Sequence, residues 1–342
     1  MALVADTNLR GRGRPFVVAA LLATALMAPA FGGSPAGSSP GSQIPVFVLE
    51  QGRFAAFDTP GEGAQDFVGI NSRGQIVGGY KEDLSSGEVG CGQRGFLRDK
   101  HGGFTPIDVP GAGLTAPIDI NDRGEVVGQF QYTDYCPDSA DPLRGFVRDR
   151  SGGFTTIHVP GSGYTTANGI NARSQVVGEY LDADGTIHGY LWAKGRFTTV
   201  YVPAASGTSI TDINDCGQIV GVYLDASGTP RAFFRDKDGA VTTIAAAGVR
   251  HTIPFGINNR GQIAGLAASD LPLGAGVMVY GFVLAEGVEG PLTRIEFPGA
   301  PGTVATDIND RGQIVGIYAN PDPGPDRQRG PTRSPMLMMW GG

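Results

Sequence analysis

The chain has 342 residues, 41% of them hydrophobic, with 55 Gly, 24 Pro and a formal net charge of −7. That apolar content excludes a disordered chain, and the glycines and prolines mark a turn-rich fold. The acidic balance repels phosphate backbones, so no nucleic-acid partner is expected.

In chain order, Arg10, Arg12 and Arg14 precede an apolar run from Phe16 to Met27, and Ala28-Pro29-Ala30 follows as a small-residue cleavage site. This is the pattern of a secretory signal peptide over 1–30, with an apolar run too short to span a bilayer comfortably. Its removal leaves 23 basic against 32 acidic residues, a net of −9. No later run is long enough for a bilayer, so the mature chain is expected to be secreted or periplasmic, without a transmembrane segment and monomeric. Residues 31–43 read as a flexible Gly/Ser/Pro linker. Within it, Gly37-Ser38-Ser39-Pro40-Gly41 fits G-x-S-x-G, but a tether is not the strand-to-helix turn that exposes a nucleophile.

Residues 44–342 are dominated by one nonapeptide, Ile308 to Gly316 (INDRGQIVG), with near copies at Ile70, Ile120, Ile170, Ile213 and Ile257. The asparagines Asn71, Asn121, Asn171, Asn214, Asn258 and Asn309 are separated by 50, 50, 43, 44 and 51 residues. Self-similarity at this period is the mark of a repeat architecture. In the unit from Thr115, TAPIDIN alternates and reads as a strand, a. NDRG is a tight turn, in which Asn accepts turn N–H groups and Gly supplies positive φ. EVVGQFQY is strand b. After a polar loop GFVRD is strand c, and FTTIHVPG is strand d, stopped by a proline that cannot donate to a ladder. Strand c carries an aromatic residue at Phe96, Phe146, Tyr190, Phe233 and Phe282. Strand b carries glycine at Gly78, Gly128, Gly178, Gly221, Gly265 and Gly316, which predicts a backbone or ring packed closely there.

A four-stranded sheet cannot bury both faces alone, and radial stacking of several such sheets solves this. At the N-terminus, VFVLEQGRF from Val46 aligns with GYLWAKGRF from Gly189, so the mature chain begins with strands c and d. The last repeat supplies strands a and b. The expected fold is therefore all-β: a six-bladed β-propeller of four-stranded antiparallel blades, closed by the N-terminal strands joining the C-terminal repeat. Ser334 to Trp340 resembles one more strand c that could compete for the same place.

The units INDRGQIVGIY and GTIHGYLWAKGRFTTVYVP resemble the HAF-type extracellular repeats of bacterial secreted proteins. The resemblance covers roughly Ile44 to Tyr318, and its His-Ala-Phe element is degenerate at His188-Gly189-Tyr190, Arg231-Ala232-Phe233 and Tyr280-Gly281-Phe282. It implies export and a repeat β fold, and brings neither an activity nor catalytic residues.

The chain offers little conventional chemistry. His101, His158, His188 and His251 stand at neither metal-ligand nor triad spacing. DINDRG at Asp307 fails as a calcium loop, because Arg311 occupies a ligand position. Two residues before each Asn stand Gly69, Asp119, Gly169, Asp212, Gly256 and Asp307, in strict alternation. If strand a lines the axis, Asp119, Asp212 and Asp307 approach one another and could hold a weakly bound calcium ion; otherwise each caps its hairpin. No other cofactor is expected. Six residues before each Asn stand Gln65, Thr115, Thr165, Thr208, Thr252 and Thr303, a ring of mainly hydroxyl side chains.

The b–c loops vary most, and in a propeller they share an end with the d–a loops. Binding residues concentrate on loops held by a rigid frame. The candidates are Lys81, Asp83, Tyr132, Asp134, Tyr135, Asp182, Asp184, His188, Asp225 and Arg231. The expected function is that of a secreted, non-enzymatic module binding a glycan, peptide or envelope component. The alternatives are a hydrolase or lyase acting on an extracellular polymer and a purely structural envelope protein. Cys91 and Cys136 lie in consecutive b–c loops and are expected to form a disulfide; Cys216, in an a–b turn at the opposite end, is expected to stay free.

Overall fold

A computed structural model of the chain describes residues 44–81, 93–132, 141–245, 249–269, 278–285, 288 and 291–319, with the backbone alone described over 62–66. The proposed signal peptide, the linker, Cys91, Cys136, Asp83, Asp134, Tyr135 and the segment Ser334 to Trp340 lie outside the described residues.

The described residues form 24 strands. The first two are β1 (Val46–Glu50) and β2 (Arg53–Phe57). One meander follows, β3 (Glu62–Ile70), β4 (Ile76–Lys81), β5 (Gln93–Arg98) and β6 (Phe104–Ile107), and then a second, β7 (Leu114–Ile120), β8 (Val126–Gln131), β9 (Arg144–Arg148) and β10 (Phe154–Ile157). The pattern continues in β11 (Tyr164–Ile170), β12 (Val176–Leu181), β13 (Ile187–Ala193) and β14 (Arg196–Val200), and in β15 (Gly207–Ile213), β16 (Ile219–Leu224), β17 (Pro230–Arg235) and β18 (Val241–Ile244). The last full meander is β19 (His251–Ile257), β20 (Ile263–Ala268), β21 (Val279–Leu284) and β22 (Leu292–Ile295), and the last two strands among the described residues are β23 (Thr303–Ile308) and β24 (Ile314–Tyr318).

Four sheets are four-stranded and antiparallel, and β3–β10 form one eight-stranded sheet. In that sheet the two meanders touch through a single parallel pair, Gln93 with Leu114. The sheet begun by β23 and β24 is completed by the first strands of the chain. Val46 to Leu49 of β1 run antiparallel to Ile314 to Ile317 of β24, and β2 lies outside β1.

The sequence dictates this layering. Strands a and b are covered on both faces and strand c is buried at its centre, whereas the outer strand d is largely exposed and buries its last residue, as in Phe154–Ile157. The core therefore sits between sheets. Val77, Ile107 and Val109 of one meander pack with Ile120, Val126, Phe130 and Phe146 of the next. The strand-c aromatics Phe47, Phe96, Phe146, Tyr190, Phe233 and Phe282 are at most 1% exposed. Each lies across the glycine of its own strand b. A Cβ on Gly265 would stand 2.7 Å from the Phe282 ring, and one on Gly316 2.7 Å from the Phe47 ring, besides meeting the strand-a carbonyls of Ile253 and Val304. These glycines leave room for a ring and a backbone at once, as their recurrence predicted.

Candidate functional site

The repeated asparagine closes its own turn first. Asn71 Oδ1 accepts from the backbone N–H groups of Arg73 and Gln75 at 3.0 and 3.1 Å, and Nδ2 donates to Gln75 Oε1 at 2.9 Å. Gly74 takes φ of 74°; in the one copy without glycine, Ser174 takes φ of 56° and its hydroxyl donates to Glu125. The second Nδ2 hydrogen reaches the next repeat. Asn71 donates to the Asn121 carbonyl, Asn121 to Asn171, Asn171 to Asn214, Asn214 to Asn258, Asn258 to Asn309, and Asn309 back to Asn71, at 2.9–3.1 Å. The six repeats thus stand in a closed circle, with strand a innermost.

A β-bulge near the end of strand a, between Pro117 and Asp119 and at the matching places in four other repeats, re-aims the next side chain. The three aspartates at that position do the same work. Asp119 Oδ1 accepts from its neighbour Ile120 N–H at 2.6 Å, and Oδ2 from Ile170 N–H in the next repeat at 2.8 Å. Asp212 joins Ile213 and Ile257, and Asp307 joins Ile308 and Ile70, at 2.6 and 2.7 Å in both cases. The alternating glycines make room for them: a Cβ on Gly169 would stand 2.6 Å from Asp212 Oδ1, and one on Gly256 2.5 Å from Asp307 Oδ1. The aspartates are therefore staples between repeats rather than caps of single hairpins.

These groups line an axial well of about 70 Å³, open to solvent at the a–b end. Burial pushes Asp119 up to about 6. Burial raises Asp212 and Asp307 well above the usual carboxylate range too, and repulsion from Asp119 adds to the shift in both. Asp122, Asp215 and Asp310 also line the well, on the same alternate repeats. They accept the backbone N–H groups of Ser72, Ala172 and Asn259 at 2.6–2.7 Å. The signal for them was present in the sequence, where DIND alternates with GIN followed by Ser, Ala or Asn. Among the described residues, no three His, Cys, Asp or Glu side chains converge as a metal site. The strand-a threonines do not ring the well: Thr115, Thr165 and Thr303 accept from Val109, Val159 and Phe297 N–H and so pin the d–a turns.

The b–c end is built differently. Lys81 is exposed at the end of β4. Asp182 and Asp225 each organise a tight turn. Asp182 Oδ1 accepts from Asp184 and Thr186 N–H, and Oδ2 lies 2.6 Å from His188 Nε2. Asp225 Oδ1 accepts from Ser227 and Thr229 N–H, and Oδ2 lies 3.0 Å from Arg231 Nε. The Ser227 hydroxyl, the Thr229 N–H and Arg231 together hold the Asp225 carboxyl well below its ordinary range. Tyr132 is 51% exposed beneath the Arg144 guanidinium, which sits 5.3 Å from the ring centroid. The sequence reading did not include Arg144, Asp141, Tyr180 or Tyr201 at this end. Cys216 is exposed and free in its a–b turn.

No protein-family model and no curated protein matches the chain. Solved structures do. A protein described as a TolB from Agrobacterium tumefaciens aligns with a TM-score of 0.56 at 10% identity, over 82% of this chain and 99% of that one. The fold is a β-propeller. TolB from Acinetobacter baumannii aligns with a TM-score of 0.47 at 12% identity, over 89% and 68% of the two chains. AofleA from Arthrobotrys oligospora aligns with a TM-score of 0.45 at 13% identity, over 75% and 79%. At these identities the likeness is one of fold. No helix among the described residues of the propeller is long and apolar enough to cross a membrane.

Proposed function

We propose that the chain is an exported, non-enzymatic interaction module that binds a glycan, peptide or envelope component through its b–c/d–a end. The observation that carries this reading is where large apolar side chains meet solvent. Tyr132 at the end of β8, Tyr201 after β14 and Met278 before β21 are 51%, 67% and 59% exposed and belong to that end, whereas Phe104, at the start of β6 and 41% exposed, lies at the opposite one. Exposed aromatic residues on loops held by a rigid frame are typical anchors for a ligand. At the other end the axial asparagines and aspartates are bonded to one another's repeats, which supports a framework role for that constellation.

The count of six blades belongs to the same proposal: it takes β3–β6 and β7–β10 as two blades joined by one bridge, in keeping with the circle of six asparagines. Kinship with HAF-type repeats and export through residues 1–30 are part of it as well. Calcium on the axis, if held, is held weakly, since each carboxylate already accepts two backbone N–H groups. The test is a binding screen of the exported protein against glycans, peptides and envelope extracts, with turnover of each polymer followed in parallel. Binding without turnover that weakens in a Tyr132→Ala/Tyr201→Ala variant supports the reading. Saturable turnover, or binding indifferent to that variant, overturns it.

A further inference from the structure

Three consecutive hairpins present the same trio of groups at the b–c end. On β12–β13, Tyr180 stands directly opposite His188, the rings stacked at 5.3 Å and 29°, and His188 pairs with Asp182 at 2.6 Å. On β16–β17, Tyr223 stands opposite Arg231, which pairs with Asp225 at 3.0 Å. On β8–β9, Arg144 lies over the Tyr132 ring and pairs with Asp141 at 2.9 Å. The loops that deliver these groups differ. The aspartate precedes its cation by six residues in two hairpins and by three in the other. Different loops nonetheless bring ring, basic group and carboxylate together, with the tyrosine directly opposite the basic residue in two hairpins and two residues beyond Phe130, the partner of Arg144, in the third.

The fold does not demand this arrangement. On β20–β21 the matching position is Ala267, opposite Tyr280, and in the closing sheet Tyr318 stacks on Phe297 at 3.6 Å. At Tyr280 the basic group comes from strand d instead, with the Arg294 guanidinium 3.9 Å from the ring centroid and paired with Glu296, and in the closing sheet the packing is aromatic. Where the trio occurs, Arg144, His188 and Arg231 keep 21%, 33% and 51% of their side-chain surface exposed.

We propose that these three hairpins carry repeated subsites for a neutral polyhydroxylated glycan chain. This deepens, and rests on, the reading of the b–c/d–a end as the binding face. Arg144 and Arg231 are each neutralised by their own carboxylate, and His188 is hydrogen-bonded to Asp182, so each pair offers a donor and an acceptor side by side. A sugar diol satisfies both: one oxygen accepts from the cation while a neighbouring hydroxyl donates to the aspartate. The apolar C–H face of the same sugar covers tyrosine carbon. An anionic sugar would set its charge against the aspartate, which selects neutral residues. Repetition on consecutive hairpins favours a chain over a single sugar, because a second contact is made at high effective concentration.

The test uses the full exported chain and arrays of neutral and anionic oligosaccharides, followed by calorimetry on a neutral series of increasing length. Affinity for neutral glycans is expected to rise by about 100-fold once the chain reaches two subsites. It should fall by roughly tenfold or more in Tyr180→Ala/Tyr223→Ala, remain in Tyr180→Phe/Tyr223→Phe, and be unchanged in Lys237→Ala at the opposite end. Circular dichroism and melting of each variant separate loss of binding from loss of fold, and Arg231→Ala gives a second route to the same subsite. Preference for anionic glycans, affinity independent of chain length, or indifference to the tyrosine and arginine variants overturns the subsites. Peptide binding at this end with no neutral glycan bound also overturns them while leaving the binding face standing; absence of any binding removes both.

Discussion

Asp119, Asp212 and Asp307 each hold two repeats together through two backbone N–H groups, and they do so with their carboxyl groups buried in the wall of a shared well. The hydrogen bonds favour the ionised form, whereas burial and mutual repulsion oppose it and prevail. A folded-state pKa above the unfolded value means that the fold binds protons. The resulting stability is fully present below about pH 4, the ordinary aspartate range, and is lost as pH rises through about 6 for Asp119 and higher for its partners. The melting temperature is therefore expected to fall between pH 4 and pH 8, and replacing all three residues with Asn should flatten that slope in a pH series of thermal melts. The same variant tests calcium: a rise in melting temperature at millimolar calcium should be present in the parent and absent in the variant. If the parent shows no rise, the carboxylates act as staples alone. A third residue-scale prediction concerns the glycines opposite them. Gly169→Ala places a methyl against Asp212 Oδ1 and Cα at 2.6 and 2.7 Å, and should cost about 1–3 kcal/mol by denaturant unfolding.

At the scale of elements, the hairpins were legible and their long-range partners were not. Asn, Gly and the alternating apolar residues state the a–b turn outright, because its bonds run within five residues. The Asn Nδ2 donation to the next repeat spans 43 to 51 residues within the chain, and 238 where the circle closes, and nothing in a single unit announces it. Similarly, Asp182 and Asp225 read as free loop carboxylates in the sequence. Their turns consume one oxygen and a cation on the facing strand takes the other. The cross-strand partner depends on register, which loop length conceals. Arg144 and Asp141 went unnoticed for that reason, since they lie at the far end of a long loop and meet Tyr132 only when β9 returns beside β8.

For the molecule as a whole, the pairing of β1 with β24 removes two sheet edges and joins the ends of the described chain. The aromatic cluster of Phe47, Phe54, Phe297 and Tyr318 packs across that seam. Deleting Gln43 to Gly61 should expose β24 and lower the melting temperature of the entire ring; a truncated protein that melts like the parent would refute closure as a source of stability. Non-reducing peptide mapping gives a separate global check. A Cys91–Cys136 bridge with Cys216 free agrees with b–c and a–b turns lying at opposite ends, whereas an intrachain linkage to Cys216 contradicts it.

The sequence by itself determined the repeat, the hairpin turns, the glycine–aromatic packing and the outline of four-stranded sheets. These follow from local backbone preferences and from a two-residue apolar period, both of which are properties of neighbouring residues. Only the tertiary structure decided that the axial carboxylates bridge repeats, that their pKa values rise, and that aromatic, cationic and acidic groups gather on consecutive hairpins. Those features depend on desolvation and on distances between residues far apart in the chain, and neither exists until the sheets have closed around the axis.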